Sequence, residues 1–194
     1  MDLVALVGLA GSGKTEASNI FREHGYGYIR FGDITMDILK ERGLEVNEKN
    51  ERAVREGVRR EYGMAAYAVL NEGKIREARE LGDVVIDGVY SWEEVLHLKD
   101  RFPEIQIVAV VCPMETKYER LEKRPERPLT REEALSRDLA DIKNLNKAPP
   151  IVMHDYLINN KGSRRYFRYQ VENFIQPKNK LERIYNEVLE ILTG

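Results

Sequence analysis

Apolar residues along this chain fall into two alternating periods. Short runs at Leu3–Val7, Tyr26–Phe31, Val84–Asp87, Gln106–Val111 and Tyr156–Ile158 have the length and β-branched content of buried strands. Between them apolar positions recur every three or four residues, which predicts helices over Glu16–His24, Ile34–Arg42, Trp92–Arg101, Glu115–Lys123 and Arg131–Lys147. The stretch Glu48–Gly82 reads as two helices, with the break expected near Asn71-Glu72-Gly73, because Asn and Gly disfavour helix interiors. Residues 163–192 also carry helical spacing: Phe167, Val171, Phe174 and Ile175, then Leu181, Ile184, Val188 and Leu189. Pro177 is expected to split that segment.

Strands alternating with helices predict an α/β fold, a parallel sheet covered on both faces. A chain of 194 residues with 42% hydrophobic residues can bury one substantial core. No repeat, low-complexity tract or long linker divides it, so a single domain is expected. The 31 basic and 33 acidic side chains leave a net charge of −2, which argues against nucleic-acid and membrane partners. No stretch approaches the ~18–20 apolar residues of a membrane span. Asp2 ahead of the first strand is unlike a signal peptide. The single cysteine, Cys112, reads as a packed, reduced thiol at a strand end, and a cytoplasmic protein is expected.

Against that background one motif carries specific chemistry. Gly8-Leu9-Ala10-Gly11-Ser12-Gly13-Lys14-Thr15 is a GxxxxGK[ST] phosphate-binding loop, entered from the first strand and left by a helix. Its glycines let successive backbone N–H groups point at a phosphate, and the helix N-terminus adds a favourable dipole. Lys14 has the reach to meet the β- and γ-phosphates, and the Thr15 hydroxyl is placed to ligate Mg²⁺. ATP and Mg²⁺ are the expected ligands.

Weaker signals surround the loop. Val84-Val85-Ile86-Asp87-Gly88 ends an apolar strand in an acid, where such loops have a magnesium-holding carboxylate; Asp87 could instead cap the helix starting near Ser91. Arg30-Phe31-Gly32-Asp33 ends the second strand, so Asp33 either orients an acceptor hydroxyl or caps the helix over 34–42. Lys117, Arg120, Lys123, Arg124, Arg127 and Arg131, with Arg137 beyond, form a basic stretch interrupted by Pro125 and Pro128. That pattern predicts a lid over residues 124–131, with Arg120, Arg124, Arg127 and Arg137 available to neutralise a transferred phosphoryl group. Arg164-Arg165-Tyr166-Phe167-Arg168-Tyr169 reads as an amphipathic helix rather than an RNA platform.

Taken in order, these residues resemble the nucleoside-monophosphate-kinase superfamily of P-loop kinases. The resemblance runs from about Leu3 to Gly162 and is closest to adenylate-kinase-related and dephospho-CoA-kinase-like proteins. Besides the loop it rests on Gly32-Asp33, Val58-Arg59-Arg60-Glu61-Tyr62-Gly63, Asp87-Gly88, Tyr118-Glu119-Arg120-Leu121, Arg137-Asp138 and Asp155-Tyr156. It implies a three-layer sandwich with a five-stranded parallel sheet, an acceptor-binding helical insertion over about 33–82, and a small arginine-bearing lid. It further implies phosphoryl transfer from ATP with Mg²⁺ to a small nucleotide-like acceptor, with the adenine near Arg120 and the Asn160–Gly162 loop.

Two positions depart from the adenylate-kinase pattern. Arginines that grip the acceptor monophosphate are replaced by Met36 and, near the second position, by Tyr90. Arg30, Arg55 and Arg59 are the available substitutes, and Asp33 matches the aspartate that serves a hydroxyl acceptor in dephospho-CoA kinases. A dephospho-CoA-like hydroxyl acceptor is therefore expected ahead of a nucleoside monophosphate. A regulatory P-loop NTPase is the alternative from another class.

Overall fold

The structure, a computed structural model, describes residues 1–125 and 128–176. The chain runs β1 (Leu3–Val7), α1 (Lys14–Glu23), β2 (Gly27–Arg30), α2 (Asp33–Glu41), α3 (Glu48–Tyr62), α4 (Ala66–Leu81) and β3 (Val84–Asp87). It continues through α5 (Trp92–Arg101), β4 (Gln106–Val111), α6 (Met114–Lys123), α7 (Arg131–Asn144), α8 (Ala148–Val152), β5 (Tyr156–Asn159) and α9 (Arg164–Ile175).

All five strands are parallel, in the order β2-β3-β1-β4-β5. The central strand β1 is buried at every position, as a strand covered by helices on both faces must be. One face packs Leu3, Ala5, Val7, Ile86 and Ile107 against Leu39, Val54, Ile75, Val95 and Leu98 from α2 to α5. The other packs Val4, Leu6, Val108 and Ile158 against Ile20 and Phe21 of α1 and Phe167 and Val171 of α9. Burying each such side chain contributes about 1.5–3 kcal/mol, so the sheet is the rigid frame of the molecule. A third, small cluster of Tyr118, Leu121 and Ala134 joins α6 to α7.

The expected α/β sandwich and its five strands are present, with strand ends shifted by a residue or two. The long helical stretch breaks elsewhere than expected. Gly63, at φ 76° and ψ −172°, ends α3, while Asn71 and Gly73 lie inside α4. Asn71 is tolerated because its buried Nδ2 donates to Tyr67 O at 2.8 Å, along the helix itself. Helix α7 stops at Asn144 rather than running to Lys147. Asn146 takes a left-handed φ of 50°, and the short α8 follows with Pro149 and Pro150 in its first turn. The expected split at Pro177 lies outside the described residues, as does the helical pattern beyond it. No helix among the described residues is long and apolar enough to cross a membrane.

Candidate phosphate-binding and acceptor site

Strand β1 delivers the chain to the loop at the C-terminal edge of the sheet, where parallel α/β folds bind ligands. Gly8 and Gly13 have φ of 149° and 111°, and neither tolerates a Cβ: at Gly8 it would strike the Val110 carbonyl, at Gly13 the Asn160 amide. The loop is braced from β5. Asn160 is buried; its Nδ2 donates to Ser12 O at 2.8 Å, and Arg120 Nη2 donates to its backbone and side-chain oxygens at 3.3 Å. Helix α1 begins at Gly13 with no side-chain cap, leaving its first N–H groups to a ligand. The buried Ser12 Oγ likewise has no hydrogen-bond partner among the described residues.

Lys14 folds back over the loop, with Nζ donating to Gly8 O at 2.8 Å and Leu9 O at 3.1 Å. Burial and the nearby Lys147 ammonium push its pKa down to about 7, against the pull of Asp87 and Asp141. The cavity at this mouth is about 270 Å³ and is lined by Gly11, Gly13, Lys14, Thr15, Arg120, Leu121 and Arg124.

Register places Asp87 opposite Leu6 at the end of β3, one strand from the loop. Its Oδ2 accepts from Tyr28 Oη at 3.4 Å, and burial together with the Asp87 charge pushes the Tyr28 phenol up to about 12. Asp87 does not cap α5. Ser91 does, its Oγ accepting from Glu94 N at 3.0 Å while Glu94 Oε2 accepts from the Ser91 N–H at 3.3 Å. Nor does Asp33 cap α2. It is the first helical residue, with Gly32 at the cap, and its half-exposed carboxylate faces Arg30 Nη1 at 3.6 Å.

Beside the loop lies a far larger cleft of about 1180 Å³, running between α2–α4 and the 129–145 segment. Arg30, Met36, Arg55, Arg59, Tyr90, Arg124, Arg137 and Asp141 are among its walls. Arg59 lies 5.2 Å over the Tyr67 ring, and Tyr67 Oη shares a 2.7 Å hydrogen bond with Thr35 Oγ1. Arg55 Nη1 reaches Glu51 Oε2 at 3.2 Å.

With this geometry in view, the likeness to known proteins is informative. Residues 4–141 match the family described as AAA domain. The chain is 34% identical, over 179 residues, to the UPF0200 protein of Thermococcus gammatolerans, spanning 90% of this chain and 94% of that one. The chain belongs to the UPF0200 family. Among solved structures, shikimate kinase from Bacteroides thetaiotaomicron has a TM-score of 0.59 at 16% identity, covering 92% of this chain and 98% of its own. Dephospho-CoA kinase from Campylobacter jejuni has a TM-score of 0.53 at 15% identity, with 91% and 96% covered. These likenesses establish the P-loop kinase fold, and with the loop they mark this UPF0200 protein as nucleotide-binding.

In the UPF0200 chain the expected basic stretch divides by role. Arg120 and Arg124 line the loop cavity and Arg137 the cleft, whereas Arg127 lies outside the described residues. Lys117 is buried in an ion pair with Asp138, whose Oδ2 also accepts from Tyr118 Oη at 3.1 Å, and Arg131 pairs with Glu115 on the surface. Gly162 is exposed, against Tyr166. Cys112 lies with Sγ 3.8 Å from Gly11 O, its thiol pushed up by burial. Helix α9 is amphipathic as expected: Phe167 and Val171 are buried, while Tyr166, Tyr169 and Arg168 face outward.

Two residues that sequence reasoning missed complete the site. Lys147, buried just after α7, donates from Nζ to Asp141 Oδ2 at 2.8 Å and lies 4.3 Å over the Tyr90 ring. Burial lowers its pKa and raises that of Tyr90. The only sequence signal was Asp141 standing four residues after Arg137, on the same face of α7.

Proposed function

We propose that this protein is an ATP- and Mg²⁺-dependent phosphotransferase acting on the hydroxyl of a small nucleotide-like acceptor such as dephospho-CoA. The observation that carries the reading is Arg124, which lines both the loop cavity and the large cleft. A guanidinium shared by the two cavities stands where a phosphoryl group would pass from donor to acceptor, and charge neutralisation there is the main catalytic need.

The loop suits a triphosphate. Gly8 and Gly13 pack so closely on the Val110 carbonyl and the Asn160 amide that no Cβ fits, Ser12 Oγ is a buried hydroxyl with no hydrogen-bond partner among the described residues, and the start of α1 has no side-chain cap. Lys14 would turn from its two carbonyls to the phosphates, joined by Arg120, Arg124 and Arg127. Thr15 and Asp87 would hold Mg²⁺, which neutralises charge on the phosphates when bound. No group of three or more His, Cys, Asp or Glu side chains among the described residues makes a metal site by itself, in keeping with a metal held largely by phosphate and water. Asn160 braces the loop, and the Asn160–Gly162 segment would border the adenine. The acceptor would occupy the cleft between the 33–82 insertion and the 124–131 lid, against Arg30, Arg55, Arg59 and Tyr90.

A nucleoside monophosphate is the second reading, favoured by Arg59, whose buried Nε has no hydrogen-bond partner among the described residues. Against it, Met36 lines the cleft where a monophosphate would need a cation. ATP turnover measured with and without dephospho-CoA, AMP and CMP separates these readings from a regulatory NTPase. Stimulation by dephospho-CoA is the expected result, and Lys14→Ala lowers that turnover by at least ~10²-fold. Efficient AMP or CMP phosphorylation, at ~10⁵ M⁻¹s⁻¹ or better, would restore the monophosphate-kinase reading.

A further inference from the structure

Phosphoryl transfer to a hydroxyl calls for a carboxylate that accepts the hydroxyl's hydrogen bond, then its proton, within reach of the γ-phosphate. Sequence reasoning offered Asp33, but Asp33 is half exposed, faces Arg30, and is absent from the cleft walls that its neighbours Arg30 and Gly32 line. Asp141 is different in each respect. It lines the cleft, and its side chain is only 16% exposed. Its Oδ2 is fixed by Lys147 at 2.8 Å, while Oδ1 has no hydrogen-bond partner among the described residues. Its charge, like that of Asp87, pulls the Lys14 pKa upward, and it raises that of Tyr90 as well.

The anchor is unusually firm for a cleft carboxylate. Lys147 is 3% exposed at its side chain and is pinned from the other side by the Tyr90 ring. An ammonium with one carboxylate and one aromatic face as neighbours, in low dielectric, holds both tightly. Arg137, one turn earlier on α7, also lines the cleft. The result is a carboxylate in the cleft wall, held at one oxygen, beside cations suited to phosphate.

We propose that Asp141, positioned by Lys147, is the catalytic carboxylate that orients and deprotonates the acceptor hydroxyl, an assignment resting on the phosphotransferase reading. The acceptor oxygen forms the new bond to the γ-phosphorus. The bond from that phosphorus to the β–γ bridging oxygen breaks, and its electron pair stays on ADP. The hydroxyl proton goes to Asp141 Oδ1 and leaves to water with the products. Lys147 is a positioning residue that takes no proton in this step.

The test compares Asp141→Asn, Asp141→Glu and Asp33→Asn in the full chain, with MgATP as donor and dephospho-CoA as the probe acceptor. Asp141→Asn keeps an oxygen for Lys147 to bond. Its kcat falls by ~10²-fold or more, while ADP affinity, read by calorimetry as the check on folding, stays within about twofold. Asp141→Glu recovers part of the rate, and Asp33→Asn keeps most of it. An Asp141→Asn enzyme within about threefold of the parent, or a loss confined to Asp33→Asn, overturns the proposal. If the parent transfers nothing to dephospho-CoA, that acceptor fails, and the same variants are read on MgATP hydrolysis, where water takes the hydroxyl's place. There a tenfold or greater loss in Asp141→Asn upholds the assignment, and an unchanged rate overturns it.

Discussion

Lys14 combines two opposed demands, a charge for phosphate and a buried place to hold it. Burial and the Lys147 ammonium bring its pKa from 10.5 to about 7, so at pH 8.5 the side chain of the free protein is mostly neutral. Bound phosphates favour the ammonium and raise that pKa again. Nucleotide binding should therefore take up close to one proton at pH 8.5 and almost none below pH 6, and affinity should weaken as pH rises past 7. For folding the same lowered pKa acts with the opposite sign: the cost of the buried ammonium is full below about pH 7 and is relieved as pH climbs toward 10.5, so stability rises over that range. Calorimetry with ADP, without magnesium, in two buffers of different ionisation enthalpy measures the uptake. It should vanish in Lys14→Met, and an uptake unaltered by that change would refute the argument. Residues 8–15 were legible in the sequence because backbone geometry calls for glycine at positions 8 and 13 and phosphate chemistry for Lys14 and Thr15. Asp141 and Lys147 were not. Their pairing depends on how α7 is rotated and on the left-handed turn at Asn146, neither of which leaves a periodic signature.

Helices α3 and α4 show why element identity was readable while one boundary was misplaced. Apolar spacing marked both as helices, with the break expected near Asn71-Glu72-Gly73, but composition alone does not rank Gly73 against Gly63. Gly63 occupies a backbone region that is almost closed to other residues, whereas Gly73 sits mid-helix with open space where a methyl group would stand. Opposite effects follow. Gly63→Ala should cost ~1–3 kcal/mol of stability, and Gly73→Ala should gain ~0.8–1 kcal/mol through helix propensity. Urea unfolding of both variants decides it, and equal midpoints would mean the break is not where the backbone puts it. The cap of α5 carries a similar lesson. Asp87 was the cap expected as the alternative to a magnesium ligand, but Ser91 holds that position, and Glu94 three residues after it completes a capping box.

At the scale of the molecule, the two cavities share one edge of the sheet but are walled by parts of unequal anchorage. The insertion packs Leu39, Val54, Val58, Tyr67 and Ile75 into the main core. The α6–α7 unit is tied together by its own small cluster of Tyr118, Leu121 and Ala134, with Leu129 against it, and by the Lys117–Asp138 pair. A cleft of about 1180 Å³ is open enough to admit water, which would compete with an acceptor hydroxyl for the phosphoryl group. The expected remedy is closure, with α6–α7 moving as a body over the cleft and bringing Arg124 and Arg137 to the transferred group. Rigid-body movement is favoured because the Tyr118–Leu121–Ala134 cluster and the Lys117–Asp138 pair join α6 to α7, leaving the Arg120–Asn160 and Asp141–Lys147 contacts as the points about which the unit would turn. A bisubstrate analogue joining ADP to dephospho-CoA should slow amide exchange at least ~10-fold along 128–145 and in the facing part of α3, leaving β1 and β3 at their slow core rates. ADP alone should protect the loop and α6 but not the cleft-facing part of α7. Exchange along 128–145 that does not respond to a saturating bisubstrate analogue would show that the cleft stays open during transfer, and some other device would then have to exclude water.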